Sequence, residues 1–159
     1  MINSILTGWI VCSLALVDDY LQVRVVDVVD GNTLEVREKS GEQYIVVLYE
    51  VDAPEPGQSF GADAKQYVER ALKGKKARLE ITGKDRKGRP LVRVFIGKDK
   101  KIGSMLLVEG LAWVGEKCDE GKGLMEKARA NKTGLWAEND PEPPWVYRRR
   151  KLMEEPKSL

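Results

Sequence analysis

The constraint that most limits how this chain can fold is the order in which short alternating segments and tight turns follow one another. Leu21, Val23 and Val25 alternate with Gln22 and Arg24, a period of two that lines one face of a strand with apolar side chains. Asp30-Gly31-Asn32 supplies turn residues, and residues 33–38 read as the returning strand. Ser40-Gly41-Glu42 turns again into residues 43–51, rich in valine and other strand formers. The period then changes. Ala64, Tyr67, Val68, Ala71 and Leu72 recur at helical spacing within residues 61–73, and Gly74 stands where a helix end favours a left-handed residue. Two further strands are expected at residues 76–82 and 91–96, joined by a charged turn over 83–90. Residues 102–109 read as a helix closed by Gly110, and 123–132 as another closed by Gly134. Three strands, a helix and two strands is the order of the OB-fold, so the expectation is a five-stranded β-barrel with about three helices.

At 159 residues the chain is one domain by length, expected over residues 20–140. Residues 141–159 form a Pro-rich strap followed by a basic tail containing Arg148, Arg149, Arg150 and Lys151. Residues 1–19 are set apart by an uncharged apolar run over 5–17, shorter than the ~20 residues of an ordinary membrane span. Ser13-Leu14-Ala15 suits a cleavage site, whereas no lysine or arginine precedes the run. Two readings stand: a signal or anchor segment that exports or tethers the protein, or a packed extension of a cytoplasmic one.

Net charge is only +2, so the whole-molecule field says little about partners. No histidine occurs, which excludes Ser-His and Cys-His nucleophile pairs and imidazole bases. Cys12 and Cys118 are too few for a zinc site and read as idle or buried thiols, with one disulfide left open. Chemistry is left to carboxylates, arginine or lysine, and tyrosine, with or without a hard cation.

Asp52-Ala53-Pro54-Glu55 offers two carboxylates at a strand end, with Asp30-Gly31-Asn32-Thr33 upstream and Gly88-Arg89 on a later turn. Oxygen donors beside an arginine suit a hard cation next to a phosphate. Singly, each piece would serve an ordinary turn or strand end. In this order and spacing the set resembles the staphylococcal nuclease (thermonuclease) family, bacterial type. Gly110-Leu111-Ala112-Trp113-Val114, Gly134-Leu135-Trp136 and Pro143-Pro144-Trp145 extend the resemblance over about residues 25–149.

The resemblance implies an SNase-like OB-fold and calcium-dependent hydrolysis of DNA or RNA phosphodiester bonds. It assigns Glu55 to activating water and Arg89 to the phosphate, both catalytic. Asp52, Asn32 and the backbone carbonyl of Ala53 fall at metal-ligand positions, with Asp30 nearby. Arg86 and Lys87, on the turn that carries Arg89, are expected to bind nucleic acid. Trp113, Trp136 and Trp145 are read as core and strap anchors.

Three departures from the family occur. Glu116 and Cys118, in place of two tyrosines that frame the nucleotide, weigh least, and the other two bear more on activity. Asn32 stands where the family has an aspartate ligand, which weakens calcium or removes it. Val47 stands where the family has its first phosphate-binding arginine, and Arg24 and Arg93 are the neighbours considered to fill that gap. The expectation is therefore a weakly active thermonuclease-like monomer acting on single-stranded DNA or RNA, with no small-molecule cofactor. The alternative is an inactive nucleic-acid-binding or protein-interaction domain.

Overall fold

The computed structural model describes residues 20–116 and 118–154, so the expectations for the apolar N-terminal segment and Cys12 lie outside the described residues. Chain order runs β1 (Leu21–Asp30), β2 (Thr33–Glu38), β3 (Gln43–Leu48), β4 (Val51–Asp52), α1 (Gly61–Leu72), β5 (Lys76–Lys84) and β6 (Pro90–Ile96). It continues through β7 (Lys100–Lys101), α2 (Ile102–Val108), β8 (Trp113–Val114), α3 (Lys122–Ala130), a 3-10 turn at Gly134–Ala137 and α4 (Pro144–Glu154).

The sheet order β3-β2-β1-β5-β6 is antiparallel between neighbours, and β3 then pairs with β6 in parallel to close the five-stranded barrel. Register shifts along β1, between Val25 and Asp27 and between Val28 and Asp30, bend it so that it pairs with β2 along most of its length and with β5 at its start. Val23 and Val25, from the alternation read in the sequence, fill the barrel together with Leu34, Val36, Val46, Leu48, Val92 and Val94, all in the main core.

Helix α1 buries Ala64, Val68 and Leu72, one stripe at four-residue spacing, against this core. Helix α2 adds Ile102, Leu106 and Leu107. A smaller cluster of Trp113, Ala128, Leu135 and Trp136 joins β8, α3 and the 3-10 turn. Trp113 and Trp136 are the anchors expected, and Cys118 is buried and free.

The expected fold is present, with one correction in the helix count. Residues 144–154 form a fourth α-helix where a tail was expected. Pro144 is buried at its first position, where a missing N–H costs nothing and the ring's fixed φ suits the helix. Among the described residues no helix is long and apolar enough to cross a membrane.

Glu50, in the short break between β3 and β4, is only 2% exposed. Its Oε1 lies 4.0 Å from Lys101 Nζ, while Oε2 is buried without a hydrogen-bond partner. Gly103 makes room for it, since a Cβ there would stand 2.7 Å from Oε2. Burial raises its carboxyl above the ordinary value, against the pull of Lys101. The folded protein therefore holds this proton more tightly than the unfolded chain. Glu50 favours folding in acid, and that contribution is lost as pH rises through its folded value. Glu50→Gln is expected to raise the unfolding temperature at neutral pH. Scanning calorimetry across pH should show the gain shrinking towards acid, and a gain independent of pH would contradict the assignment.

Candidate active site

Asp52 is the last residue of β4 and pairs across the ladder with Trp113 of β8. The next two residues, Ala53 and Pro54, are buried, so the chain leaves the barrel as a fixed segment. The Asp30–Asn32 turn is pressed against it. A Cβ on Gly31 would stand 2.6 Å from the Ala53 Cβ and 2.8 Å from the Ala64 Cβ. Only glycine fits between the motif and α1. The Asn32 backbone N–H donates to Asp30 Oδ1 at 2.9 Å, and Leu48 N–H donates to the Asn32 carbonyl at 2.8 Å, tying the turn to the end of β3.

The segment after Glu55 is equally constrained. The Glu55 N–H donates to Gln58 Oε1 at 2.9 Å, the Gln58 N–H returns to the Glu55 carbonyl at 2.8 Å, and Gln58 Nε2 donates to the Glu142 carbonyl at 2.9 Å. Gly61 opens α1 directly under the Glu55 carbonyl, where a Cβ would stand 2.1 Å from that oxygen. One glutamine thus joins the motif loop to the C-terminal strap.

Helix α4 completes the site. Trp145 packs edge-on against Trp113 with ring centroids 6.3 Å apart, and Trp113 packs on Trp136 at 5.3 Å. The Tyr147 hydroxyl lies over Gly57. One turn beyond Trp145, Arg148 reaches the motif. Its Nη1 donates to Asp52 Oδ1 at 3.0 Å and to Glu55 Oε1 at 2.7 Å, and its Nη2 donates to Asp52 Oδ2 at 2.7 Å. The carboxylate side chains are 18% and 28% exposed and the arginine 45%. The hydrogen bonds it donates to Asp52 and then Glu55, partly opposed by burial, raise the Arg148 guanidinium above its already high ordinary value. It stays charged at any pH at which the protein is folded.

The other expected site residues lie elsewhere or are otherwise engaged. Arg89 donates from Nε to Asp85 Oδ2 at 2.7 Å within its own turn, not to Asp52 or Glu55. Burial pushes the Asp85 carboxyl up, but hydrogen bonds from Arg89 and from the Lys87 backbone outweigh it and hold it below its ordinary value. Arg86 and Lys87 are exposed on that turn. Val47 is 9% exposed, buried outside the main core to which its neighbours Val46 and Leu48 belong. Both neighbours considered for the gap have partners of their own. Arg24 donates to the Gly74 carbonyl at 2.6 Å, and Arg93 donates to Glu80 at 2.9 Å and lies over the Tyr49 ring. Arg148 was read as part of a basic tail. Its one signal in the sequence is Trp145 three residues earlier, which marks a packed helix face.

Among the described residues no group of three histidine, cysteine or acidic side chains forms a metal cluster. The donors on offer are the Asp52 and Glu55 carboxylates, the Asn32 amide oxygen and the Ala53 carbonyl. Such an all-oxygen set suits a hard cation such as calcium, with little formal charge to hold it. Of these, the Asp52 and Glu55 carboxylates are brought together on one cation, the Arg148 guanidinium. Gly31→Ala is expected to destabilise the protein by about 1–3 kcal/mol, because both alanine neighbours are rigid. Urea unfolding measures this, and an unchanged midpoint would mean that the turn is not held against the motif.

Comparison with known proteins places the sequence among relatives. The sequence model of the family described as "Staphylococcal nuclease homologue" matches residues 45–138. A protein named "Uncharacterized endonuclease" from Escherichia coli O157:H7 is 34% identical over 131 residues, covering 80% of this chain and 85% of its own. A protein of the same name from Haemophilus influenzae is 35% identical over 130 residues, covering 80% and 72%. A "Micrococcal nuclease" from Shigella flexneri is 31% identical over 138 residues, covering 79% of each chain.

Proposed function

Since the chain belongs to the staphylococcal nuclease family, we propose that this nuclease-like protein is a calcium-dependent phosphodiesterase acting as a monomer on single-stranded DNA or RNA. The observation that carries the reading is the proximity of Asp52 and Glu55, close enough to share one cation beside the Asp30–Asn32 turn. An OB barrel with a cationic turn suits a single strand, whose backbone can be tracked without opening a duplex.

Asp52, Asn32 and the Ala53 carbonyl would hold the ion. Calcium, when bound, polarises the phosphate and balances charge on its oxygens. Glu55 takes the proton of the attacking water, and the half-buried setting of its carboxylate keeps that water oriented. Arg89 exchanges Asp85 for a phosphate oxygen, an exchange between two charge-assisted hydrogen bonds. Arg86 and Lys87 bind neighbouring phosphates from the exposed turn. Turnover is expected to be slow. Asn32 adds no charge for the ion, and Val47 offers no donor where the family has an arginine.

A second reading, a nucleic-acid-binding domain without hydrolysis, is favoured by the burial of Val47, which fills the arginine's place with a packed side chain. Digestion of single-stranded DNA and RNA separates the two. The proposal expects slow cleavage that a calcium chelator stops and that Glu55→Gln lowers by ~10² or more, the loss typical of a general base. Binding without cleavage, indifferent to Glu55→Gln, would give the second reading. Asn32→Asp is expected to tighten calcium by titration calorimetry and to lower the calcium needed for half-maximal cleavage. An unchanged affinity would remove Asn32 from the ligand set.

A further inference from the structure

We propose that Arg148 is a catalytic residue of this hydrolysis, contacting the substrate phosphate in place of the guanidinium that Val47 cannot supply. The inference rests on the nuclease reading and adds a residue from outside the barrel. Among the described arginines, Arg148 alone donates to Asp52 or Glu55. Arg24, Arg89 and Arg93 are held by Gly74, Asp85 and Glu80. The reacting water lies at Glu55, so a cation hydrogen-bonded to Glu55 is within reach of the phosphate that water attacks.

Helix α4 is built to keep it there. Trp145 on Trp113, Tyr147 over Gly57 and Gln58 on the Glu142 carbonyl fix the helix to both strands and loop of the motif. The side chain itself is nearly half exposed and can swing on a fixed backbone. A divalent cation drawn to the same carboxylates repels the guanidinium. The nearest anion then open to its two-pronged N–H face is the phosphate. Arg148 is the counter-cation of the acid pair, so calcium must compete with it.

The chemistry balances without a proton from arginine. The water oxygen bonds to phosphorus as its proton passes to Glu55. The P–O ester bond breaks, and the departing oxygen is protonated from solvent. Arg148 donates hydrogen bonds to the phosphoryl oxygens where charge accumulates.

The test compares the full chain with Arg148→Ala, Arg148→Lys and the double variant Val47→Arg/Arg148→Ala, each checked for folding by circular dichroism. Calcium titration of Arg148→Ala should show affinity raised about tenfold, as loss of a nearby positive charge predicts. Its kcat should fall ~10², the scale of one lost donor, with KM little changed. Arg148→Lys should recover only a minor part, because a point charge lacks the fork. Val47→Arg should restore cleavage to the Arg148→Ala protein. Should Arg148→Ala not fold, the fall in kcat of Arg148→Lys carries the test. An equal or higher kcat in a folded Arg148 variant overturns the proposal and makes Arg148 a plug. If the unaltered protein cleaves nothing, the nuclease reading fails by itself. Arg148 is then judged by calcium-dependent binding of a phosphorothioate oligothymidylate, where weaker binding by Arg148→Ala supports the contact and unchanged binding overturns it.

Discussion

The parallel pairing of β3 with β6 is the contact on which the rest of the molecule depends. Val47 opposite Leu91 and Leu48 opposite Val92 close the barrel, and the Tyr49 N–H extends the closure to the Val92 carbonyl at 2.9 Å. Each side of this seam leads to part of the site. Beyond β3 the chain turns through Glu50 into Asp52. Before β6 lies the Asp85–Arg89 turn, and Leu48 also holds the Asn32 carbonyl. Backbone bonds therefore bring three distant segments to one neighbourhood before any side chain acts. Parallel closure needs partners far apart in sequence and is slow to form, so the valine-rich interior must hold the sheet while the seam finds its register.

Electrostatics then sets what that neighbourhood can tolerate. Two carboxylates on one short segment repel each other, and a cation between them offsets that repulsion. Arg148 is that cation in the structure described. The acids that Arg148 meets are less exposed than Glu142 and Glu154 beside Arg150, so water screens its pairs less. The aromatic chain Trp145–Trp113–Trp136 matters because it orients α4, and orientation decides which of three consecutive arginines faces the acids.

Much of the fold was legible because barrel strands obey a simple period. Val23 and Val25 alternate with the polar Gln22 and Arg24, and the turns between the first three strands carry glycine and asparagine. The fourth helix was not legible. Pro-Pro-Trp followed by charged residues reads equally as an extended strap, and its helical state depends on packing against Trp113, a residue some thirty positions away. Arg24 and Arg93 are the neighbours considered for the lost arginine's place, and the sequence alone places neither side chain. Both proved to be held by local acceptors on other parts of the barrel.

By itself the sequence determined the barrel order, the family and the chemical type of the donors. Those follow from period, from glycine at crowded turns and from the oxygen-only character of Asp52, Ala53, Asn32 and Glu55. Only the tertiary structure decided which cation meets the acids. Gly31 is needed because Ala53 and Ala64 crowd it, and Val47 is sealed because the closure of β3 on β6 buries it. Arg148 reaches Asp52 across 96 positions of sequence, and no local pattern encodes a contact made by a helix whose placement rests on two tryptophans and a glutamine.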